Sequence, residues 1–256
     1  MATPNYYVPL LGWRMGEYEA LEKLSVACKA RTVPLIEVLP PDYDFELRQP
    51  KKHIDEQLKP FAKQIEKRWA DRPALIDAVQ IPAATRMGDG RHPLTYLFDE
   101  TRAVGITHVP VTGLDRDVAY QQSVFAIHAI DGRGAGLRCS LGEVLDPDFN
   151  NNVYALLGRI GVEPAGLDIL LDLQCPAFDP QGSLIATITA ALSGVRLLLL
   201  HAPSRSLRHH FPTALQISSC RWNFCRDANG CCSRRWLPHC RPMCVAPGLE
   251  IMSSLP

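Results

Sequence analysis

The stretches Val33-Pro34-Leu35-Ile36-Glu37-Val38 and Ala74-Leu75-Ile76-Asp77-Ala78-Val79 decide how this chain folds. Each is a short aliphatic run with one acid between two aliphatic neighbours, the composition of a buried strand. Further runs of this kind stand at Tyr6 to Leu11, Thr107 to Thr112, Gly136 to Leu141 and Asp168 to Leu173. Stretches of helical composition lie between them at Gly16 to Arg31, Lys51 to Asp71, Pro93 to Val104, Asp117 to Ile130 and Phe149 to Ile160, with Ser183 to Leu192 after the last strand. Parallel neighbours need a crossover, so strict alternation of strand and helix implies a parallel sheet covered by helices. Strand starts are 27, 41, 33, 29 and 32 residues apart, close to one βα unit of a barrel of about 250 residues. The expected fold is therefore α/β, a (β/α)8 TIM-barrel-like domain of which six units are legible. An open doubly wound parallel sheet is the alternative.

The helical stretches carry apolar stripes. Tyr18, Leu21, Leu24 and Cys28 recur at spacings of three and four, and Ile54, Leu58, Phe61, Ile65 and Trp69 repeat the pattern while Lys59, Lys63, Glu66 and Lys67 are left for water. Cys28, Cys139 and Cys175 read as small core residues. Gly132-Arg133-Gly134-Ala135-Gly136 stops a helix and returns to a strand, the reverse of a phosphate loop. His92 and His108, beside Pro93 and Pro110, read as structural.

Composition is ordinary on average, 46% hydrophobic and 21% charged with net charge zero, but it changes along the chain. All seven Lys fall between Lys23 and Lys67, whereas residues 196–256 hold eight Arg against Asp227 and Glu250, with six of the nine Cys. The expected division is a βα-repeat domain over 1–195 and an aberrant tail over 196–256. Three accounts of that tail compete. Cys220, Cys225, Cys240 and Cys244 could form an irregular zinc site, although no C-x2-C pair is present. Alternatively, Arg221, Arg226, Arg234, Arg235 and Arg241 could neutralise nucleic-acid phosphates, with Trp222 and Trp236 stacking on bases. The preferred account is a tail read in a different frame from the one that shaped residues 1–195, because the hydrophobic period ends after Leu200. There is no eighteen-residue apolar run and no signal-peptide pattern, so neither a membrane span nor secretion is expected, and the expected location is cytoplasmic.

The opening run Tyr6-Tyr7-Val8-Pro9-Leu10-Leu11-Gly12-Trp13-Arg14-Met15-Gly16-Glu17-Tyr18-Glu19-Ala20-Leu21, followed by Val33 to Val38, resembles the phage-type Beta protein family of prophages and bacterial genomes. The likeness extends through Asp168 to Leu173. It implies a phage association and supplies no reaction. Family members continue with a Trp-Arg strand and a Phe-Pro pair, of which residues 195–213 keep only Phe211-Pro212.

Side chains alternate along a strand. If the aliphatic set faces the helices, then Glu37, Asp77, Arg138 and Asp172 point to a common axis, with Thr112 joining them, and strand C-terminal ends are where barrel active sites lie. Arg138 and Asp172 can pair in a bidentate fashion. Glu37 and Asp77 are expected to share a proton or to hold a hard cation such as Mg²⁺. Trp13 and Arg14 would overhang the same mouth and clamp a planar or anionic ligand.

Three functions fit. The enzymatic one is hydrolysis or transfer on a phosphate-containing or other anionic substrate, with Glu37, Asp77 and Asp172 as catalytic acids and Arg138 as the anion clamp. The second is a binding protein that meets a host protein through its strand-end loops. The third is an inactive remnant. A polar plug of mutually satisfied charges is the structural alternative to any site.

Overall fold

The computed structural model describes residues 6–173 and 186–190, and the backbone of 216–218. The elements, in chain order, are β1 (Leu10–Gly12), α1 (Met15–Lys23), α2 (Val26–Lys29), β2 (Leu35–Glu37), β3 (Tyr43–Asp44), β4 (Gln49–Pro50), α3 (Ile54–Leu58), α4 (Phe61–Arg68), β5 (Leu75–Asp77), α5 (Pro93–Ala103), β6 (Val109–Thr112), α6 (Val118–Asp131), β7 (Ala135–Ser140), α7 (Leu141–Val144), α8 (Phe149–Ile160), a 3-10 turn (Pro164–Gly166), β8 (Leu167–Asp172) and β9 (Gln216–Ser218). Residues 186–190 are helical.

The main sheet has the order β1-β2-β5-β6-β7-β8-β9 and every pairing in it is parallel. A doubly wound sheet reverses its strand order at a switch point. No reversal occurs here: each crossover places the next strand on the same side, and strands β1 to β8 of this sheet curl into a half-barrel. Beyond β9, which adds a seventh parallel strand, the further units of an eight-unit barrel lie outside the described residues, as do Cys175 and the proposed zinc and nucleic-acid residues of the tail.

Two apolar clusters separate the faces of the sheet. Ile36, Val38, Ile76, Ala78, Ala135, Leu137, Cys139, Leu167 and Ile169 pack against the helices. The alternate positions Leu35, Leu75, Val109, Val111 and Leu170 line the concave side. The predicted α3–α4 stripe is buried in full, with Trp69 at 0% exposure and its Nε1 donating to the Pro73 carbonyl at 2.9 Å.

Four expectations change. The helix over Gly16 to Arg31 breaks at Leu24, whose ψ of 140° is extended, and Ser25 caps a short second helix by accepting from the Cys28 amide. That break turns Cys28 outward, so it is an exposed thiol and not a core residue. The Lys51 to Asp71 stretch divides at Pro60, which lacks the amide an unbroken helix needs. A hairpin of β3 and β4 follows β2, where no strand was expected. Gly132 does end α6 in the left-handed region (φ 63°), and at Gly134 a Cβ would stand 2.1 Å from the Gly166 carbonyl.

Ser140 closes β7 and opens α7 through a capping box: its Oγ accepts from the Glu143 amide at 3.2 Å, and its own amide donates to Glu143 Oε2 at 2.7 Å. Ser140→Ala should cost about 1 kcal/mol in chemical denaturation.

Candidate functional site at the barrel mouth

Parallel register sets Gly12, Glu37 and Asp77 side by side at the C-terminal ends of β1, β2 and β5. Each follows a residue of the helix-facing cluster, so Glu37 and Asp77 share the concave side with Leu35 and Leu75. By the same alternation Arg138 follows helix-facing Leu137, and Asp172 lies two residues beyond concave Leu170. Gly12 contributes no side chain there, which leaves the end of β1 open.

Arg138 gathers the three acids. Its Nη1 donates to Glu37 Oε1 at 2.6 Å and to Asp77 Oδ2 at 3.1 Å, while Nε and Nη2 donate to Asp172 Oδ2 at 2.9 and 2.5 Å. Glu37 and Asp77 are 3% and 0% exposed, whereas Arg138 and Asp172 are open at 11% and 14%. Burial works against the Arg138 charge, but hydrogen bonds to Glu37 and Asp172 and the field of Asp77 outweigh it and hold its pKa above the ordinary value.

Beneath Arg138, Asp77 meets Tyr120. The phenol accepts from the Ala78 amide at 3.0 Å and lies 2.9 Å from the Val111 carbonyl and 3.2 Å from Asp77 Oδ1. A phenol has one proton, which the Val111 carbonyl and Asp77 Oδ1 compete to accept, and Asp77 Oδ1 also accepts from the Val79 amide at 2.9 Å. Burial pushes the Asp77 carboxyl up from its ordinary range, against the opposing fields of Arg116 and Arg138.

Helix N-termini ring this end of the half-barrel, because helices return antiparallel to their strands. They bring groups that sequence reasoning passed over. Arg116, in the loop before α6, stands with Nη2 4.0 Å from Asp77 Oδ2. His92 caps α5 by accepting from the Leu94 amide at 3.1 Å, and its ring meets Tyr120 edge-on at 5.4 Å. With Nδ1 accepting, the neutral ring carries its proton on Nε2. Burial lowers the His92 pKa, aided by Arg86 and opposed by Asp117. Glu17, in the first turn of α1, is raised by burial, with Arg14 and the Gly12 amide opposing and Glu37 adding to the rise. One signal for Arg116 was in the sequence: it follows the fourth strand by four residues, at the end where barrel sites are built.

Several sequence expectations stand elsewhere. Thr112 pairs with helix-facing Leu137 and so lies on the face opposite the acids; Val109 and Val111 take the concave positions and alternation turns Thr112 away. Trp13 is committed to the helix layer, its Nε1 donating to Gln64 at 3.0 Å and its ring packed against Tyr18 and Phe61. Arg14 does stay at this end of the strands, exposed at the start of α1, where its charge acts on Glu17. Among the described residues no group of three His, Cys, Asp or Glu side chains is gathered to hold a metal ion. Glu37 and Asp77, the two acids expected to hold a cation, both accept from Arg138 Nη1.

Fold and site together define an α/β half-barrel protein with a buried polar cluster at the C-terminal ends of its strands. A family model described as Beta protein matches residues 7–198, and the chain belongs to that family. No curated protein matches the chain. Among the described residues, no helix is long and apolar enough to cross a membrane.

Proposed function

We propose that the barrel mouth is a binding site for a small ligand that presents hydrogen-bond donors or a positive charge to Glu37 and Asp172. The supporting observation is the convergence of three acids from separate strands on one guanidinium at the strand ends. Asp172, at 14% side-chain exposure, is the acid of the three that reaches solvent. This reading replaces Arg138 as a phosphate clamp, since an anion there would have to displace a carboxylate. The half-barrel is taken as part of a (β/α)8-like closure.

Ethanolamine, Mg²⁺ and inorganic phosphate are suitable probes, each titrated while the Arg side-chain Nε–H resonances are followed. Ethanolamine should shift the Arg138 signal of the wild type, and Asp172→Asn should weaken that binding at least about fivefold, roughly 1 kcal/mol. A response at Arg138 to Mg²⁺ or phosphate, with none to ethanolamine, overturns the proposal in favour of the metal or anion reading.

A second proposal concerns residues 196–256. The family match ends at 198, beside the composition break after 195, which supports a tail out of frame with the family. The nucleotide sequence decides it: if neither alternative frame continues the βα pattern past residue 198, the proposal is wrong.

A further inference from the structure

Arg138 is fully engaged, but Arg116 is not. It sits where β6 hands over to α6, and its side chain is 12% exposed. A guanidinium that buried normally has its N–H groups paired. Here Nε is sealed from solvent with no hydrogen-bond partner among the described residues. Nη2 is 4.0 Å from Asp77, too far for a hydrogen bond, and Nη1 leans on the carboxylate of Asp115, a side chain 71% exposed and therefore a weak partner in water.

The loop holds the guanidinium in this under-bonded state. Gly113 makes room for it: a Cβ there would stand 2.7 Å from Asp115 Oδ1 and 3.1 Å from Arg116 Cζ. Gln121 Nε2 ties down the Arg116 carbonyl at 3.1 Å, and the Tyr120 ring lies 5.9 Å from Cζ. Asp117 meanwhile spends its side chain on the Tyr120 amide. A cation with unmet donors therefore stands within 4.0 Å of the Asp77 oxygen that also binds Arg138. The mouth thus carries an acid, Asp172, on one side and the Arg116 cation on the other, with Asp77 between them.

We propose that Arg116 is the anion-binding residue of the mouth and that the ligand is a small zwitterion, an amine carrying a carboxylate or phosphate. The anionic end bonds the edge of the Arg116 guanidinium that is open to solvent, the side chain being 12% exposed; the ammonium end meets Asp172, the most exposed of the three acids. The assignment of the ammonium end rests on the function proposed above, whereas the assignment of the anionic end stands on Arg116 alone.

Four probes separate these parts: inorganic phosphate, ethanolamine, phosphoethanolamine and β-alanine, each titrated calorimetrically into the full chain. Phosphoethanolamine or β-alanine should bind the wild type at least about tenfold more tightly than ethanolamine, and the stronger of the two identifies the anion. Arg116→Gln should erase that advantage and abolish phosphate binding, while ethanolamine binding stays unchanged. Arg116→Lys, which keeps the charge and loses the planar fork, should recover part of it. Equal affinities for the zwitterions and for phosphate in wild type and Arg116→Gln, with both proteins melting cooperatively, would overturn the assignment of Arg116. Phosphate binding that depends on Arg116 alongside absent ethanolamine binding would uphold Arg116 and sink only the ammonium lobe.

Discussion

Arg138→Met should lower the stability of the fold by about 3–5 kcal/mol, the usual consequence of stripping the counter-charge from a buried ionic cluster. Glu37 and Asp77 are almost wholly buried, Asp172 is partly open, and all three converge on the one guanidinium. Without it, each carboxylate loses a charge-assisted hydrogen bond, and Glu37 and Asp77 are left facing each other across adjacent strands. The variant should regain stability as pH falls, because protonation removes that repulsion. Neutralising the whole cluster as Glu37→Gln, Asp77→Asn, Arg138→Met and Asp172→Asn should restore most of the loss, since the destabilising quantity is unpaired charge and not missing packing. Urea denaturation of the three proteins at pH 7 measures both effects. If Arg138→Met alone costs less than about 1 kcal/mol, the cluster is better solvated than its burial implies.

The parts of this cluster that were legible in the sequence are those governed by strand alternation. Ile36-Glu37-Val38 and Leu137-Arg138-Cys139 each flank a charge with residues that belong to the helix-facing core, so two-residue periodicity located the charges before any coordinates did. Periodicity failed where a strand's phase was uncertain. Thr112 ends a run interrupted by Pro110, and the concave positions fall on Val109 and Val111, one step out of phase with it. Helix boundaries were hidden for a related reason: the apolar stripe through Leu24 and Cys28 is continuous on paper, but Ser25 offers a cap that ends the turn locally. Contacts across many residues left no local trace. Tyr120 looks like one more apolar position on α6, and only the coordinates place its hydroxyl against Asp77, 43 positions earlier. Arg116 left only its position four residues past a strand end as a signal, since nothing in Asp115-Arg116-Asp117 states that the middle charge is the buried one.

Two buried groups at the other end of the strands should give the protein a pH response that the wild type conceals. His108 stands just before β6 at 1% exposure with neither ring nitrogen bonded among the described residues, and burial, reinforced by Arg133, lowers its pKa to about 3. Its unfolded value is 6.5, so between pH 6.5 and 3 the unfolded chain binds the extra proton and stability falls as pH falls. Asp168 lies on the concave side of β8, two residues before Leu170, and burial raises its pKa to about 7 from 3.8. Between pH 3.8 and 7 the folded state binds the extra proton, so stability from this group falls as pH rises. The slopes, each about 1.4 kcal/mol per pH unit, oppose one another over the shared window from 3.8 to 6.5. Asp168→Asn should therefore unmask the histidine: relative to wild type, the variant loses about 3 kcal/mol on going from pH 6.5 to pH 4. His108→Leu should do the opposite, gaining stability relative to wild type over that interval, and should also gain about 1 kcal/mol at pH 7 by removing an unbonded buried imidazole. Denaturation midpoints at half-unit pH steps give the difference curves, in which every other titrating group cancels. Parallel curves for wild type and both variants would show that the two groups keep their solution pKa values in the fold, and would place water or a polar partner beside each of them.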